Sequence, residues 1–154
     1  MKLVPGLTHS SDYTVDIFED AISSGVHHKC YLRPNTLLPL MYIDDCLRGI
    51  VQMLEVPEEK LKLRTYNLAA MSVTPAELAA EIRKHIPNLQ VTYEPDFRQQ
   101  TADTWPETLD DSGARRDWGW KHDYDLGKLV RVMLELLCQR RGIHTVFTET
   151  MNPL

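Results

Sequence analysis

Apolar positions recur at helical spacing in four stretches of this chain, and short apolar runs lie between them. Val15, Phe18, Ala21 and Ile22 predict a first helix starting near Asp12. Ser11 or Asp12 can cap it, and Gly25 suits the left-handed position that closes a helix. Ile43, Cys46, Leu47, Ile50, Val51 and Leu54 hold the i, i+3, i+4, i+7 pattern of a second helix, which Pro57 ends. Asp44 and Asp45 stand in its first turn, where negative charge suits the positive end of the helix dipole. Thr74-Pro75-Ala76-Glu77 is a capping box with proline at the first helical position. The helix it opens carries Leu78, Ala79, Ile82 and Ile86 and ends before Pro87. A last helix is predicted from Asp125 to about Cys138, with Leu126, Leu129, Val130, Met133 and Leu137 on one face.

Between the helices, Lys29–Leu32 and Leu40–Ile43 read as short extended pieces. Pro34 and Pro39 beside them suit sheet edges, because proline has no N–H to give to a central ladder. Thr65-Tyr66-Asn67-Leu68 reads as a buried strand and Gln90–Tyr93 as another. The stretch from Leu109 to Trp120 reads as a short carboxylate-capped helix ending in a Trp118-Gly119-Trp120 turn. This alternation predicts an α/β fold. After Arg141 the helical pattern lapses, so residues 1–141 are expected to form one unit and residues 142–154 a flexible tail.

Composition narrows the class. With 43% hydrophobic and 25% charged residues in 154, the chain has the make-up of a single globular domain rather than a disordered segment. The net charge is −5 and the basic residues are scattered, which argues against nucleic acid as a partner. No apolar run has the length of a membrane span. The segment Met1–Gly6 has neither the apolar stretch of a signal peptide nor an Arg-rich amphipathic pattern, which makes the cytoplasm the default expectation. Cys30, Cys46 and Cys138 are odd in number and contain no C-x-x-C, so free thiols are expected.

Candidate chemistry is sparse. Asp44/Asp45 and Asp110/Asp111 are adjacent carboxylates at helix starts, and neighbouring residues on a helix do not face each other, so capping is expected over acid/base work. The six histidines show no H-x-x-x-H and no pairing with cysteine at zinc spacing, and no G-x-S-x-G occurs. The glycines stand at 6, 25, 49, 113, 119, 127 and 142, so no G-x-G is present to cradle a dinucleotide pyrophosphate. Arg33 is free to meet an anion or to lie on the surface beside Pro34.

Several motifs in sequence carry a resemblance. Tyr42-Ile43-Asp44-Asp45-Cys46, Thr65–Leu68, Val73–Leu78 and Asp111-Ser112-x-Ala114-Arg115-x-Asp117-Trp118-Gly119-Trp120 resemble the C-terminal portion of the extended short-chain dehydrogenases. Asp12–Phe18, Cys30–Pro34, Leu40–Asp45 and Asp103-Thr104-Trp105-Pro106 narrow this to the NAD-dependent, metal-free L-threonine 3-dehydrogenase family, over about Pro5 to Val132. The resemblance implies the substrate-domain portion of a Rossmann-type fold with the nucleotide-binding half missing. It implies a family reaction that oxidises L-threonine to 2-amino-3-oxobutanoate with NAD as cofactor, a site between two domains, a dimer, and a mitochondrial setting. Thr65–Leu68 would then join a large parallel sheet.

The family pattern also assigns site residues. Ser10 and Ser11 match hydroxyl positions of the threonine loop, with helix capping as their other role, and Trp105 matches a tryptophan near the substrate pocket, with a core aromatic as its other role. Leu7-Thr8-His9 replace the glycines that the family has there. The family's catalytic Tyr-x-x-x-Lys precedes the substrate domain. Tyr124-Asp125-Leu126-Gly127-Lys128 repeats the spacing but follows the Trp-Gly-Trp turn, so it is expected to be a coincidence. The chain is therefore expected to bind no NAD alone, to hold no metal, and to bind L-threonine at most weakly. It is expected to show no dehydrogenase activity in isolation. The alternatives are a non-enzymatic module that pairs with itself or with a full-length relative, and a decayed product without function.

Overall fold

The computed structural model describes residues 13–23 and 26–143. Helix α1 spans Tyr13–Ala21 and strand β1 His27–Cys30; β2 is Leu38–Leu40 and α2 Ile43–Glu55. Strand β3 is Met71–Val73, α3 Pro75–Arg83, β4 Gln90–Tyr93, α4 Arg98–Ala102, α5 Ser112–Trp118 and α6 Leu126–Arg140. A turn of 3-10 helix at Glu58–Lys60 follows α2. β1 and β4 pair in parallel, His27 beside Gln90 and Cys30 beside Tyr93. β2 and β3 pair antiparallel, Leu38 beside Val73.

The core lies where α1, α3 and α6 meet over the β1–β4 ribbon. It holds Tyr13, Ile17 and Phe18 of α1, Leu78, Ala79 and Ile82 of α3, and Leu129, Val130, Leu134 and Leu137 of α6. The α1 register differs from the expected one: Val15 is exposed, and Tyr13 and Ile17 turn inward instead. In α6, Leu134 joins the core and Met133 only flanks it. β1 and β2 each begin two residues before the expected extended pieces, while β4 falls where the pattern places it.

The caps follow local chemistry. Thr74 Oγ accepts the Glu77 N–H and the Glu77 carboxylate accepts the Thr74 N–H at 2.8 Å, closing the capping box of α3. Asp125 caps α6 by accepting the Lys128 N–H at 2.8 Å. At the other end of α6, the Ile143 N–H reaches the Cys138 carbonyl and the Gly142 N–H the Gln139 carbonyl, the paired bonds of a Schellman turn. Residues 144–154 of the expected tail, and the Ser11, Asp12 and Gly25 helix ends, lie outside the described residues. Gly119 ends α5 at φ 75°, a left-handed conformation that a side chain would strain.

One expectation is corrected. Thr65–Leu68 is not a strand, and Thr65 and Asn67 are exposed. A strand needs a neighbour for its N–H and C=O groups, and among the described residues none of these four joins another backbone group. Side chains hold the segment against α5 instead. Tyr66 Oη donates to Asp117 at 2.7 Å, its ring meets Trp118 edge-on at 4.6 Å, and the Asn67 amide donates to the Asp110 carbonyl.

The packing of α2 is set by tertiary contacts. Its extent is as expected, but Ile43, Leu47, Ile50, Val51 and Leu54 face solvent, and the residues it buries are Asp45 and Gly49. Gly49 is there because a Cβ would come within 2.4 Å of Leu68 and 2.9 Å of the Trp120 ring.

Candidate substrate-side site

Of the family-assigned positions, Ser10 and Ser11 lie outside the described residues. Trp105 follows α4, with its N–H on the Ala102 carbonyl, and its side chain is 43% exposed. The core-aromatic role is thereby set aside: the indole stands at the surface.

What fixes that corner is a network whose centre, Gln99, the sequence did not reveal. Gln99 is buried, and its amide oxygen accepts the Arg33 N–H at 2.7 Å while its amide nitrogen donates to Asp103 at 2.7 Å and to Thr36 at 3.1 Å. The Arg33 guanidinium meets the same Asp103 oxygen at 2.5 Å. Hydrogen bonds from Gln99 and then Arg33 hold the Asp103 carboxyl below the usual carboxylate range. Arg33 is therefore committed to an internal carboxylate, not poised for a free anion. A polar residue in an otherwise polar run carries no periodic signal, which is why Gln99 is invisible in the sequence.

The first turn of α1 approaches the same corner. The Arg98 guanidinium lies 3.2 Å above the Tyr31 ring and is gripped by Asp96 at 2.6 Å. Those Asp96 bonds raise its pKa, with Tyr31 and Asp16 of α1 adding to the effect. Tyr13 is buried next to Cys30 and Tyr31; burial first, then these neighbours, push its phenol far up, so it stays neutral. Burial likewise raises the Cys30 thiol, which is the state of an inert core cysteine rather than a nucleophile. All three cysteines are free.

The Tyr124/Lys128 spacing does not build a proton-transfer pair. Lys128 Nζ sits 4.0 Å over the Tyr124 ring centroid and donates to the Asp123 carbonyl, away from the phenol oxygen. Desolvation and the nearby Asp44 raise the Tyr124 pKa, the opposite of what a tyrosine base needs.

The carboxylate pairs are split by their surroundings. Asp110, one position before the N-cap of α5, accepts the Ser112 N–H at 2.9 Å, whereas the N-cap residue Asp111 takes Arg115 at 2.7 Å. Asp45 does not cap α2. It is fully buried and accepts the N–H groups of Asp123 and Tyr124, with Arg48 at 2.6 Å completing its shell. His28 was likewise missed: it is buried in β1 with Nδ1 2.8 Å from Asp20.

Among the described residues no cluster of three His, Cys, Asp or Glu side chains could hold a metal ion. The described glycines with positive φ, Gly119 and Gly142, stand at the C-termini of α5 and α6, where carbonyls gather and a pyrophosphate is repelled.

The mixed α/β architecture is that of the C-terminal, substrate-side portion of an extended short-chain dehydrogenase. No family model matches the chain. It is 59% identical over 126 residues to mitochondrial L-threonine 3-dehydrogenase of Sus scrofa, covering 81% of this chain and 34% of that protein. The crystal structure of L-threonine dehydrogenase from Phytophthora infestans superimposes with a TM-score of 0.85 at 43% identity, over 90% of this chain and 45% of that one. A monomeric L-threonine 3-dehydrogenase from a metagenome superimposes at 0.80 with 38% identity, over 88% of this chain and 43% of that one. The chain belongs to the L-threonine 3-dehydrogenase family, of the GalE-like extended short-chain type, as a C-terminal partial match. It spans about a third of the length of the curated relatives it matches.

Proposed function

We propose that this chain supplies the substrate-side wall for NAD-dependent oxidation of L-threonine, with Ser10, Ser11 and Trp105 facing the amino acid. The observation that carries the reading is the Arg33–Gln99–Asp103 network, two residues before a Trp105 that is 43% exposed, in a chain with 59% identity to the pig L-threonine 3-dehydrogenase. An exposed tryptophan next to a carboxylate that Gln99 and Arg33 hold in place suits a ligand-facing wall. Cofactor binding and proton transfer belong to residues outside this chain: the described glycines do not fit a pyrophosphate, and Tyr124 has its pKa shifted the wrong way. The chain alone is therefore inactive. The mitochondrial setting of the pig relative is the compartment we assign.

The test is a fusion of this chain to the nucleotide-binding part of the pig relative. The fusion is expected to form NADH with threonine and the isolated chain to form none. Trp105→Ala in the fusion is expected to raise the threonine KM more than it lowers kcat. Threonine-dependent NADH formation by the isolated chain, or an unchanged KM in the variant, overturns the reading.

A further inference from the structure

An open cleft of about 470 Å³ lies between β3, α3 and the start of α6. Met71, Val73, Ala80 and Leu126 give it an apolar wall, and Glu77, Glu81 and Asp125 an acidic one. None of these residues belongs to the Gln99 corner, so the proposed function leaves the cleft unused.

Each of the three carboxylates is held through one oxygen. Glu77 Oε2 accepts the Thr74 N–H at 2.8 Å, Asp125 Oδ1 the Lys128 N–H at 2.8 Å, and Glu81 Oε2 the Lys84 ammonium at 2.6 Å. Among the described residues the second oxygen of each makes no hydrogen bond. The Thr74 bonds hold the Glu77 carboxyl below its usual range, so it stays ionised. Lys84 is the one cationic side chain in the lining that is charged at every working pH, and Glu81 already takes it. The lining therefore carries an excess of negative charge on carboxylates fixed in advance.

Two further observations point to an occupant rather than to helix caps standing side by side. His122 lines the cleft, and its Nδ1 is wholly buried with no partner among the described residues. Cores avoid such orphaned atoms, and binding sites keep them. Gly127 leaves a gap between two of the acids: a Cβ there would stand 3.3 Å from Glu81 Oε1 and 3.6 Å from Asp125 Oδ1. No three of these acidic and imidazole groups converge closely enough for a metal ion. Carboxylates spread around an apolar wall suit a larger cation, one that brings several N–H donors and a hydrocarbon body.

We propose that this cleft binds a small organic cation, a primary alkylammonium. Its N–H donors meet Glu81 Oε1 and Asp125 at the Gly127 gap, and its alkyl chain lies on Met71, Val73, Ala80 and Leu126. An α-amino acid such as threonine is rejected, because its carboxylate would face the same acids.

The probe is n-butylammonium chloride, added to the intact chain at constant ionic strength and read by amide NMR shifts at Ala80, Glu81, Leu126 and Gly127. Saturable shifts centred on these residues are expected. n-Butanol, similar in shape but uncharged, is expected to produce none, and L-threonine is expected not to displace the probe. Glu81→Gln is expected to weaken binding about tenfold, the loss of one charge-assisted hydrogen bond. Gly127→Ala keeps every charge and favours the helix, yet fills the gap, and is expected to weaken binding as well. Glu135→Gln removes one exposed acid elsewhere on α6 and is expected to change nothing. A linear, unsaturable response, an equal response to butanol, displacement by threonine, or affinity unchanged in Gly127→Ala overturns the proposal. So does an equal loss in Glu135→Gln, which would reduce the effect to general attraction by an acidic surface.

Discussion

The Asp45 carboxylate accepts the Asp123 N–H through both oxygens, at 2.9 and 3.1 Å. The Tyr124 N–H joins at 3.0 Å, so one side chain of α2 fixes the turn that leads into α6. Arg48 neutralises the charge from the same helix and reaches on to the Lys121 carbonyl at 2.6 Å.

Removing that carboxylate takes the acceptor from two part-buried N–H groups and leaves Arg48 with only the Lys121 carbonyl and Asp123. Asp45→Ala is expected to cost about 3 kcal/mol, the range for breaking a buried charged pair by deleting one partner. Urea unfolding at pH 7 measures it. A loss below ~1 kcal/mol would show that water reaches these groups.

The same residue sets an acid limit. Burial alone raises its pKa, but the Arg48 bond and the Asp123 and Tyr124 N–H groups outweigh that and hold it below the ordinary 3.8. A depressed folded value means the stabilisation is complete above the unfolded value and is lost as pH falls through the folded one. Stability of the chain is therefore expected to fall below about pH 4, and Asp45→Asn, already weakened at pH 7, to show a flatter acid limb. Parallel limbs for the two proteins would assign the acid loss to other carboxylates.

Gly49→Ala opposes two effects. Alanine favours a helix interior by about 1 kcal/mol over glycine. Its Cβ would stand 2.4 Å from Leu68 and 2.9 Å from a Trp120 ring that the Ala69 carbonyl holds at 3.0 Å. Overpacking of this kind costs about 1–3 kcal/mol, so a net loss is expected. A thermal melt reads the sign, and a raised Tm would mean that Leu68 yields freely.

Thr74→Ala removes the acceptor of the Glu77 N–H and half of the capping box. A loss of about 1 kcal/mol is expected from the cap alone. Thr74→Ser should restore most of it, since the hydroxyl, not the methyl, does the bonding.

Gln99→Leu keeps the volume and severs the bonds to Arg33, Thr36 and Asp103. In the fusion with the pig nucleotide-binding part, the threonine KM is expected to rise while NAD binding is unchanged. Tyr124→Phe and Lys128→Met in the same fusion are expected to leave kcat near the parent value. A kcat collapse in either would restore the Tyr-x-x-x-Lys pair to the chemistry.

Local patterns carried the elements and the family. The capping box of α3, the Asp125 cap of α6, β4, and the span of α2 all depend on side chains within a turn or two of one another, and each stands in the structure as its residues predict. Ser10, Ser11 and Trp105 were assigned by resemblance alone, which orders motifs along a chain without needing contacts. Gln99 was not, because its partners lie 66 positions away at Arg33 and 63 away at Thr36.

Periodicity determined that α2 has one apolar face, and the tertiary structure decided that this face meets solvent. A hydrophobic stripe records which side chains share a side of a helix, a property of 3.6 residues per turn alone. Burial depends on what else the chain brings to that side. Here Gly49 lets Leu68 and Trp120 approach the other side, and no described residue covers the first. The same holds for Thr65–Leu68: β propensity is written in the residues, but a strand exists only where a neighbour's backbone completes it.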